Sequence, residues 1–567
     1  MTEIKIPRTM PAPARKYVLS AGTLAAAVLA VLAAQVAFAI PSVLNGLFQQ
    51  DLGPTSSQLT WISDAFIVPV ALLELTFGVL GDLFGRKRLL VGGALLLAIG
   101  EAVAVLTPGA GSSTETRVLV LWTGQIIAGI GAAALFPTSL AVVAAGTHTP
   151  STRARAITIW AGALAAGGLF SSLLGGLMTK ISFGADPYAS WRWAFIAVIV
   201  LALASAAVSL TMAQNSAAPQ GRSLDWPGQV TVAIALFALL FAVIQAPTSG
   251  WGSRQVVAGF TVAAVFLALF ILAERRSAAP LLRLDFFAHR AFAVNAIVTV
   301  VGMFAFIGTA YATSIRLTAI QGFTPLKASL AFVFLSGLAL VQMPVTYRLL
   351  ERYNPKWVLG FGFALIGGGD LWLAAVPATN LSLAAIAAPL VIAGIGFALA
   401  VASVTAVAVN TMPNHLAGMA SGTTNMLRDI GFGLGPAIIG AVALSKAAGQ
   451  VSSTLAGSAS LRGAVAAFNA AAAHAPAAQH PALEAAAHAV ASGPLGANSV
   501  PATVTVAGGH VMPFNPLKDV AFHALSNAYS TGYLICAGAA LAAALLAIVG
   551  VGGRTRETQL DPQSLTD

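Results

Sequence analysis

The sequence predicts an all-α polytopic membrane protein with fourteen spanning helices. Three observations carry this reading. Only 8% of the 567 residues are charged and 57% are hydrophobic, whereas a water-soluble domain carries roughly 25% charged residues. The apolar residues fall into runs of about 20 or more, the length that crosses a bilayer as a helix. The Lys and Arg residues collect in short segments between those runs.

In lipid a spanning segment must satisfy its own backbone hydrogen bonds, so long apolar runs mean helices. Short alternating runs, the mark of a barrel, are not seen. The first run, Tyr17 to Ala39, is too long for a signal-peptide core. It follows a basic start with Lys5, Arg8, Arg15 and Lys16. Further spans are expected at 60–80, 89–107, 117–142, 156–179, 191–213, 225–246, 255–274, 292–314, 325–347, 357–377, 381–410, 417–444 and 526–550. With the N-terminus inside, 19 of the 29 Lys and Arg residues fall on the inner side and 9 outside, with Arg428 within a span. That bias places both termini in the cytoplasm, with the chain in the plasma (inner) membrane. The net charge of +10 would suggest nucleic acid for a soluble protein. Here it reports topology, and no nucleic-acid partner is expected. The single cysteine, Cys536, forms no disulfide within the chain.

Two extramembrane segments are long. Glu274 to Arg290 carries four arginines and falls on the inner side. The segment 445–527 faces outward, with a helical stretch from Leu461 to Val490 and a hairpin signal at Gly508-Gly509. Its histidines, His474, His480, His488, His510 and His523, match no metal-ligand spacing. No metal and no cofactor are expected.

An internal repeat is visible. Gly167 to Gly176 aligns with Gly431 to Gly440, placing Ser171-Ser172 on Gly435-Pro436 and Gly176 on Gly440. Duplicated transporters show such matched small-residue helices. Gly167, Gly175, Gly176, Gly431, Gly435, Pro436 and Gly440 are thus packing or hinge positions.

The strongest motif lies between spans 2 and 3: Gly78, Asp82, Gly85, Arg86 and Lys87 in Gly-x-x-x-Asp-x-x-Gly-Arg-Lys. Gly78 allows close helix approach. Asp82 at a helix end can hold an Arg or a neighbouring helix N-terminus, a clasp that engages in one conformation and releases in another. This loop resembles the signature loop of the major facilitator superfamily, with Leu83 where the family usually has Arg. Trp191-Arg192-Trp193 at span 6, Leu224-Asp225-Trp226-Pro227-Gly228 at span 7, Gly250-Trp251, Pro280-Leu281-Leu282 and Ala417-Gly418 add to it. Together they resemble the fourteen-helix drug:proton antiporter branch of that superfamily.

The resemblance implies the major facilitator fold: two six-helix bundles, two inserted helices and a substrate cavity at mid-membrane. The implied division is a cytoplasmic N-terminus (1–16), a first bundle (17–213), a linker with two inserted helices (214–290), a second bundle (291–550) and a cytoplasmic tail (551–567). It implies a carrier rather than an enzyme, exporting amphipathic or hydrophobic compounds in exchange for protons, and able to act as a monomer. Three departures accompany it. The Asp usual in span 1 falls near Leu32, the Arg usual four residues before Gly129 is Gln125, and the Gly-Pro of span 5 is Ser171-Ser172.

If protons drive transport, a group inside the membrane must bind them. Ionisable residues there are rare and costly, so each is a functional candidate. They are Glu74, Asp370, Glu101, Asp64, Arg428 and Asp429. Glu74 leads, because it lies well inside span 2 and four residues from Gly78, on the same face. Asp64, beside Trp61, reads as interfacial. Arg428 and Asp429 are sequence neighbours, which do not face one another on a helix. Arg428 in a cavity would favour anionic or polar substrates.

Export against a hundredfold gradient costs about 2.7 kcal/mol, and a proton falling through about 100 mV supplies about 2.3 kcal/mol, so one proton per substrate suffices. No Gly-Lys dipeptide occurs, which excludes a phosphate loop of the Gly-x-x-x-x-Gly-Lys type. Two other readings stay open: a proton-independent carrier or lipid translocator, favoured by the three departures, and a transporter-fold receptor working through 445–527.

Overall fold

The computed structural model describes residues 18–551, except 148–149, 185–186, 218–223, 278–279, 281, 283, 412–416, 474–479 and 506–510. Fourteen helices among the described residues are long and apolar enough to cross a membrane. Helix α1 (Ala21–Ala39) runs on through Pro41 into α2 (Pro41–Leu52), because proline is tolerated in the first turn of a helix. Helices α3 (Ser56–Phe84), α4 (Arg86–Val105), α5 (Thr114–Ala145), α6 (Pro150–Met178) and α7 (Trp191–Met212) complete the first six spans. The inserted pair is α8 (Trp226–Ser249) and α9 (Arg254–Arg276). The second six spans are α10 (Arg290–Ile315), α11 (Pro325–Ser336) continuing into α12 (Leu338–Arg352), α13 (Pro355–Ala375), α14 (Leu383–Asn410), α15 (Ala417–Gly457) and, after α16 (Ala459–Ala473), α17 (His480–Ala491) and α18 (Pro494–Ser499), the last span α19 (Lys518–Gly550).

Local chemistry fixes these boundaries. Helix α3 starts in a capping box: the Thr55 hydroxyl accepts from Gln58 N at 3.3 Å, and the Gln58 amide oxygen accepts from Thr55 N at 2.8 Å. Such reciprocal bonds satisfy two orphan donors. Helices α11 and α13 start on Pro325 and Pro355, capped by Thr324 and Asn354.

Both ends of the segment 445–527 are helical, since α15 runs unbroken to Gly457 and α19 begins at Lys518. Within it, β1 (Thr503–Thr505) pairs antiparallel with β2 (Val511–Pro513) on either side of Gly508-Gly509. His474 and His510 lie outside the described residues.

The alignment of Gly167 with Gly431 holds in three dimensions. A Cβ on Gly167 would meet Gln35 Cβ at 2.6 Å and Leu32 O at 3.4 Å; one on Gly431 would meet Met303 Cβ at 3.0 Å and Val300 O at 2.6 Å. A shift of 264 residues relates the glycines and one of 268 relates both partners. Likewise a Cβ on Gly100 would lie 2.6 Å from Gly124 O, and one on Gly369, 269 residues on, 2.7 Å from Pro389 O. Glu101 and Asp370 follow these two glycines, so the two acids are mates in the repeat.

The halves meet along two seams that the repeat also exchanges. On the α3–α15 seam a Gly440 Cβ would lie 3.0 Å from Thr60 Oγ1; on the α6–α11 seam a Gly176 Cβ would lie 2.5 Å from Ser329 Oγ. Thr60 and Ser329 are again 269 apart.

Gly129 brings α5 against α3: any Cβ there would lie 2.4 Å from Phe66 O, a backbone atom that has no freedom to rotate away. Gly129→Ala is expected to destabilise by about 1–3 kcal/mol, as overpacking does, read as a lowered melting temperature in detergent. Gly92→Ala, where nothing lies within 4 Å, is the matched control. Equal melting of the two variants would contradict the tight α3–α5 contact.

Candidate functional site

The Asp82 motif closes on itself. Asp82 Oδ1 accepts from Arg86 Nη2 at 2.7 Å and Nε at 3.2 Å, and both side chains are buried. Gly85 has φ +99°, which glycine alone adopts without strain. The chain beyond α7 docks on this turn: Arg86 N donates to Ser216 O at 2.9 Å, and the Asn215 side chain fills the space beside Gly85. Lys87 is half-buried. Gly78 differs from expectation, since its Cβ would sit at an ordinary 3.8 Å from Pro137. The helices are not brought closer by it.

Arg428 and Asp429 do pair, against the expectation from their adjacency. Arg428 Nε donates to Asp429 Oδ1 at 2.7 Å and Nη2 to Oδ2 at 3.2 Å, while Nη1 reaches Asn425 Oδ1 at 3.3 Å. The Arg stem is long enough to fold back along α15, whereas the rule about neighbours concerns short side chains. Glu74 of α3, 3% exposed, lies within hydrogen-bond reach of the Asp429 carboxyl and close to the Arg428 charge. Two carboxyl groups hydrogen-bond only when one carries a proton. With one proton on the carboxyl pair the formal charges of the cluster sum to zero, and with none they sum to −1. Arg428 also lines a small pocket with Met303, Val401, Val404, Thr405, Thr424 and Asn425, so the pocket lies beside the cluster. Asp429 pairs with Arg428, so the arginine does not stand as a free cation beside that pocket.

The other acids are dispersed. Asp64 is fully buried rather than interfacial, and both its oxygens lack hydrogen-bond partners. Tyr311 of α10 stands nearby, with its hydroxyl 3.1 Å from Thr60 Oγ1 one turn before Asp64. Glu101 faces Gln125 inside the first bundle, and both are fully buried. Asp370 accepts from Thr309 Oγ1 at 2.7 Å inside the second bundle. Of the ionisable candidates within the spans, Glu74, Arg428 and Asp429 are the ones that come together.

Three arrangements escape a reading of sequence alone. Asp51 on α2 is enclosed by Arg117, Arg192 and Trp191. Arg117 Nη2 donates to Asp51 Oδ1, Arg192 Nη1 to Oδ2 at 3.2 Å, and Trp191 Nε1 to Oδ2 at 2.6 Å. The only signal was the Trp191-Arg192 pair, with nothing to connect it to Asp51. Arg316, fully enclosed, donates to the carbonyls of Leu373, Val376 and Pro377 at 2.8–3.1 Å and so caps α13. Finally, α8 is pinned to α3 at both ends: Ser57 Oγ donates to Ile244 O at 2.7 Å, and Thr76 Oγ1 donates to Gln229 Oε1.

A family model described as Major Facilitator Superfamily matches residues 24–436. The multidrug resistance protein Stp of Mycobacterium tuberculosis (strain CDC 1551 / Oshkosh) is 30% identical over 386 residues, 68% of this chain and 68% of its own. The tetracenomycin C resistance and export protein of Streptomyces glaucescens is 28% identical, over 75% of this chain and 76% of its own. The multidrug efflux pump LfrA of Mycolicibacterium smegmatis is 26% identical, over 77% and 82%. Among solved structures, the POT family transporter PepTSo superposes with a TM-score of 0.57 at 15% identity, covering 93% of this chain and 96% of its own. At that identity the likeness speaks for the fold alone.

Proposed function

The chain belongs to the major facilitator superfamily, and on that footing we propose that it exports amphipathic or hydrophobic small molecules, drugs among them, in exchange for protons. The observation that carries the proposal is the Glu74–Asp429–Arg428 cluster. It joins α3 of the first bundle to α15 of the second, beside the pocket that Arg428 lines. A proton or a cationic amphiphile each restores neutrality to the deprotonated cluster, so one displaces the other. Exchange follows when the bundles rock about the site and expose it alternately to the two sides. The relatives named for drug resistance and export support the direction and the substrate class.

The moving units in this reading are residues 17–213 and 291–550, with both termini cytoplasmic and the protein working as a monomer in the plasma membrane. Asp82, Gly85, Arg86 and Lys87 act as the inner latch: the Asp82–Arg86 pair and the docked Ser216 backbone hold that end in the present arrangement. Asp64, Glu101 and Asp370 remain reserve proton sites, Gln125 stands with Arg428 and Asp429 as a substrate-cavity candidate, and the paired glycines with Gly129 are packing or hinge positions. A second reading, a proton-independent carrier, is supported by Leu32, Gln125 and Ser171-Ser172 standing at the three departures.

Efflux of a fluorescent lipophilic cation from cells expressing the protein decides between them. Export above vector control that a protonophore abolishes is expected. Export that persists with the protonophore favours the uncoupled carrier, and no export of any tested amphiphile overturns the drug-efflux reading.

A further inference from the structure

The two seams between the halves are mates in the repeat, but their surroundings differ. Along the α3–α15 seam lies α8. Its Leu236, Leu240, Val243 and Ile244 pack against Val68 and Ala71 of α3 and Ala437 and Ala441 of α15. Hydrogen bonds to Ser57 and Thr76 hold it there at both ends. Near the Asp82 end the seam is closed by Glu74 and the Arg428–Asp429 pair.

Along the α6–α11–α12 seam no helix among the described residues packs as α8 does on its mate. The seam is tightest at one end and relaxes to ordinary van der Waals contact toward the Asp82 end. Measured from ideal Cβ positions, Gly176 lies 2.5 Å from Ser329, Gly168 3.7 Å from Ser336 and Gly162 3.9 Å from Met343 Sδ. The repeat shifts put Met343 at the place of Glu74, and Leu164 and Ala165 at the places of Arg428 and Asp429. Where one seam has an ionic bridge, the other has apolar side chains. One polar group is set among them: the Thr346 hydroxyl, three residues from Met343 and hence on the same side of α12, is 4% exposed and has no partner. The outer faces of these helices are strongly apolar, with Phe170 55%, Leu177 49% and Val341 78% exposed, so the seam opens on hydrocarbon rather than water.

We propose that the α6–α11–α12 seam is the lateral portal through which an amphipathic substrate passes from the bilayer to the interior between the two bundles. The α8–α9 pair keeps the mate seam shut. This rests on the export reading for the identity of the occupant. The apolar part of the substrate lies against Met343, Leu169 and the glycine edge of α6, and its polar group meets the Thr346 hydroxyl. The charged cluster on the far seam is spared direct contact with lipid.

The test uses the full chain in proteoliposomes and a diazirine-bearing hexadecylamine, photolysed and mapped by peptide. Label is expected on residues 162–176 and 326–346 and falls when excess tetraphenylphosphonium is present. Gly168→Leu fills the seam and is expected to reduce the label severalfold. Gly538→Leu adds the same bulk on an exposed stretch of α19 with nothing within 4 Å and leaves the label unchanged. Label on α3, α8 or α15 instead, or seam label that ignores tetraphenylphosphonium, overturns the portal; the competition arm needs only the wild-type chain, so a poorly folded Gly168→Leu protein does not excuse the proposal. Dye efflux from the same wild-type protein separates the two ideas. Efflux without seam labelling sinks the portal alone, and competed seam labelling without efflux sinks the export reading alone.

Discussion

Glu74→Gln is expected to abolish protonophore-sensitive efflux while leaving a folded protein that binds a cationic amphiphile more weakly. Glutamine has nearly the shape of protonated glutamate, so it can hydrogen-bond Asp429 without a proton to exchange. The cluster is then fixed in its neutral state: Arg428 is paired with Asp429, and position 74 no longer changes charge as the bundles move. A rate loss of tenfold or more corresponds to about 1.4 kcal/mol or more. The dependence of the remaining transport on pH is expected to flatten, and this is the sharper readout. A merely structural role for Glu74 would lower the amount of folded protein and leave the pH profile of the surviving molecules intact. Full pH-dependent efflux by Glu74→Gln would move the exchanged proton to Asp64, Glu101 or Asp370, and the same substitution at each would identify which.

The largest effect on stability is expected at Asp51. Its side chain is 1% exposed and pairs with both Arg117 and Arg192, whose side chains are 5% exposed. It also accepts from the indole of Trp191, and the arginines fasten the following turn through Pro108 O at 3.0 Å and Thr107 O at 3.0 Å. Asp51→Ala strands two buried guanidinium groups at once. Removing one partner of a buried pair typically costs about 3–5 kcal/mol, so the variant is expected to melt far below wild type in detergent or to fail to accumulate. Asp51→Glu keeps the charge and should recover part of the loss. Wild-type melting of Asp51→Ala would mean that the carbonyls alone satisfy both arginines and that the carboxylate contributes little. The position also has a mechanical consequence. The cluster ties α2 to α5 and α7, so α2 moves with the first bundle when it rocks. At the facing surface, Asn45 Nδ2 donates to Ser314 Oγ of α10 at 2.8 Å and Ser314 Oγ donates to Ser42 O, neutral hydrogen bonds that are far easier to break than the cluster behind them.

Much of the fold is legible in the chain because lipid imposes one rule on every span. Apolar length gives the helices, flanking Pro, Thr and Asn give their starts, and the glycines of α6 and α15 give the repeat. The site is legible only in part. Glu74 can be singled out by its depth, yet its spacing reveals the face of α3 it occupies and not the helix that face meets. Arg428 and Asp429 read as neighbours pointing apart, because the rule of helix spacing takes no account of a flexible stem that folds back. Asp64 reads as interfacial from its place near the start of a span. The depth of burial there is set by α10, 251 residues from Thr60 along the chain. The equivalence of Glu101 and Asp370 is hidden because different helices of the repeat carry different shifts, and only the matched glycine contacts bring them into register.

The sequence by itself determined that this is a lipid-embedded chain of fourteen helices with a duplicated plan and an Asp-Gly-Arg-Lys turn. These follow from composition, length and local spacing, which act within one helix or one turn. The tertiary structure alone decided which charges meet: Glu74 with Asp429 and Arg428, and Asp51 with Arg117 and Arg192. It also decided which seam α8 covers. In an apolar medium a charged group is stable only beside a partner, and the partner is chosen by how helices distant in the chain pack against one another.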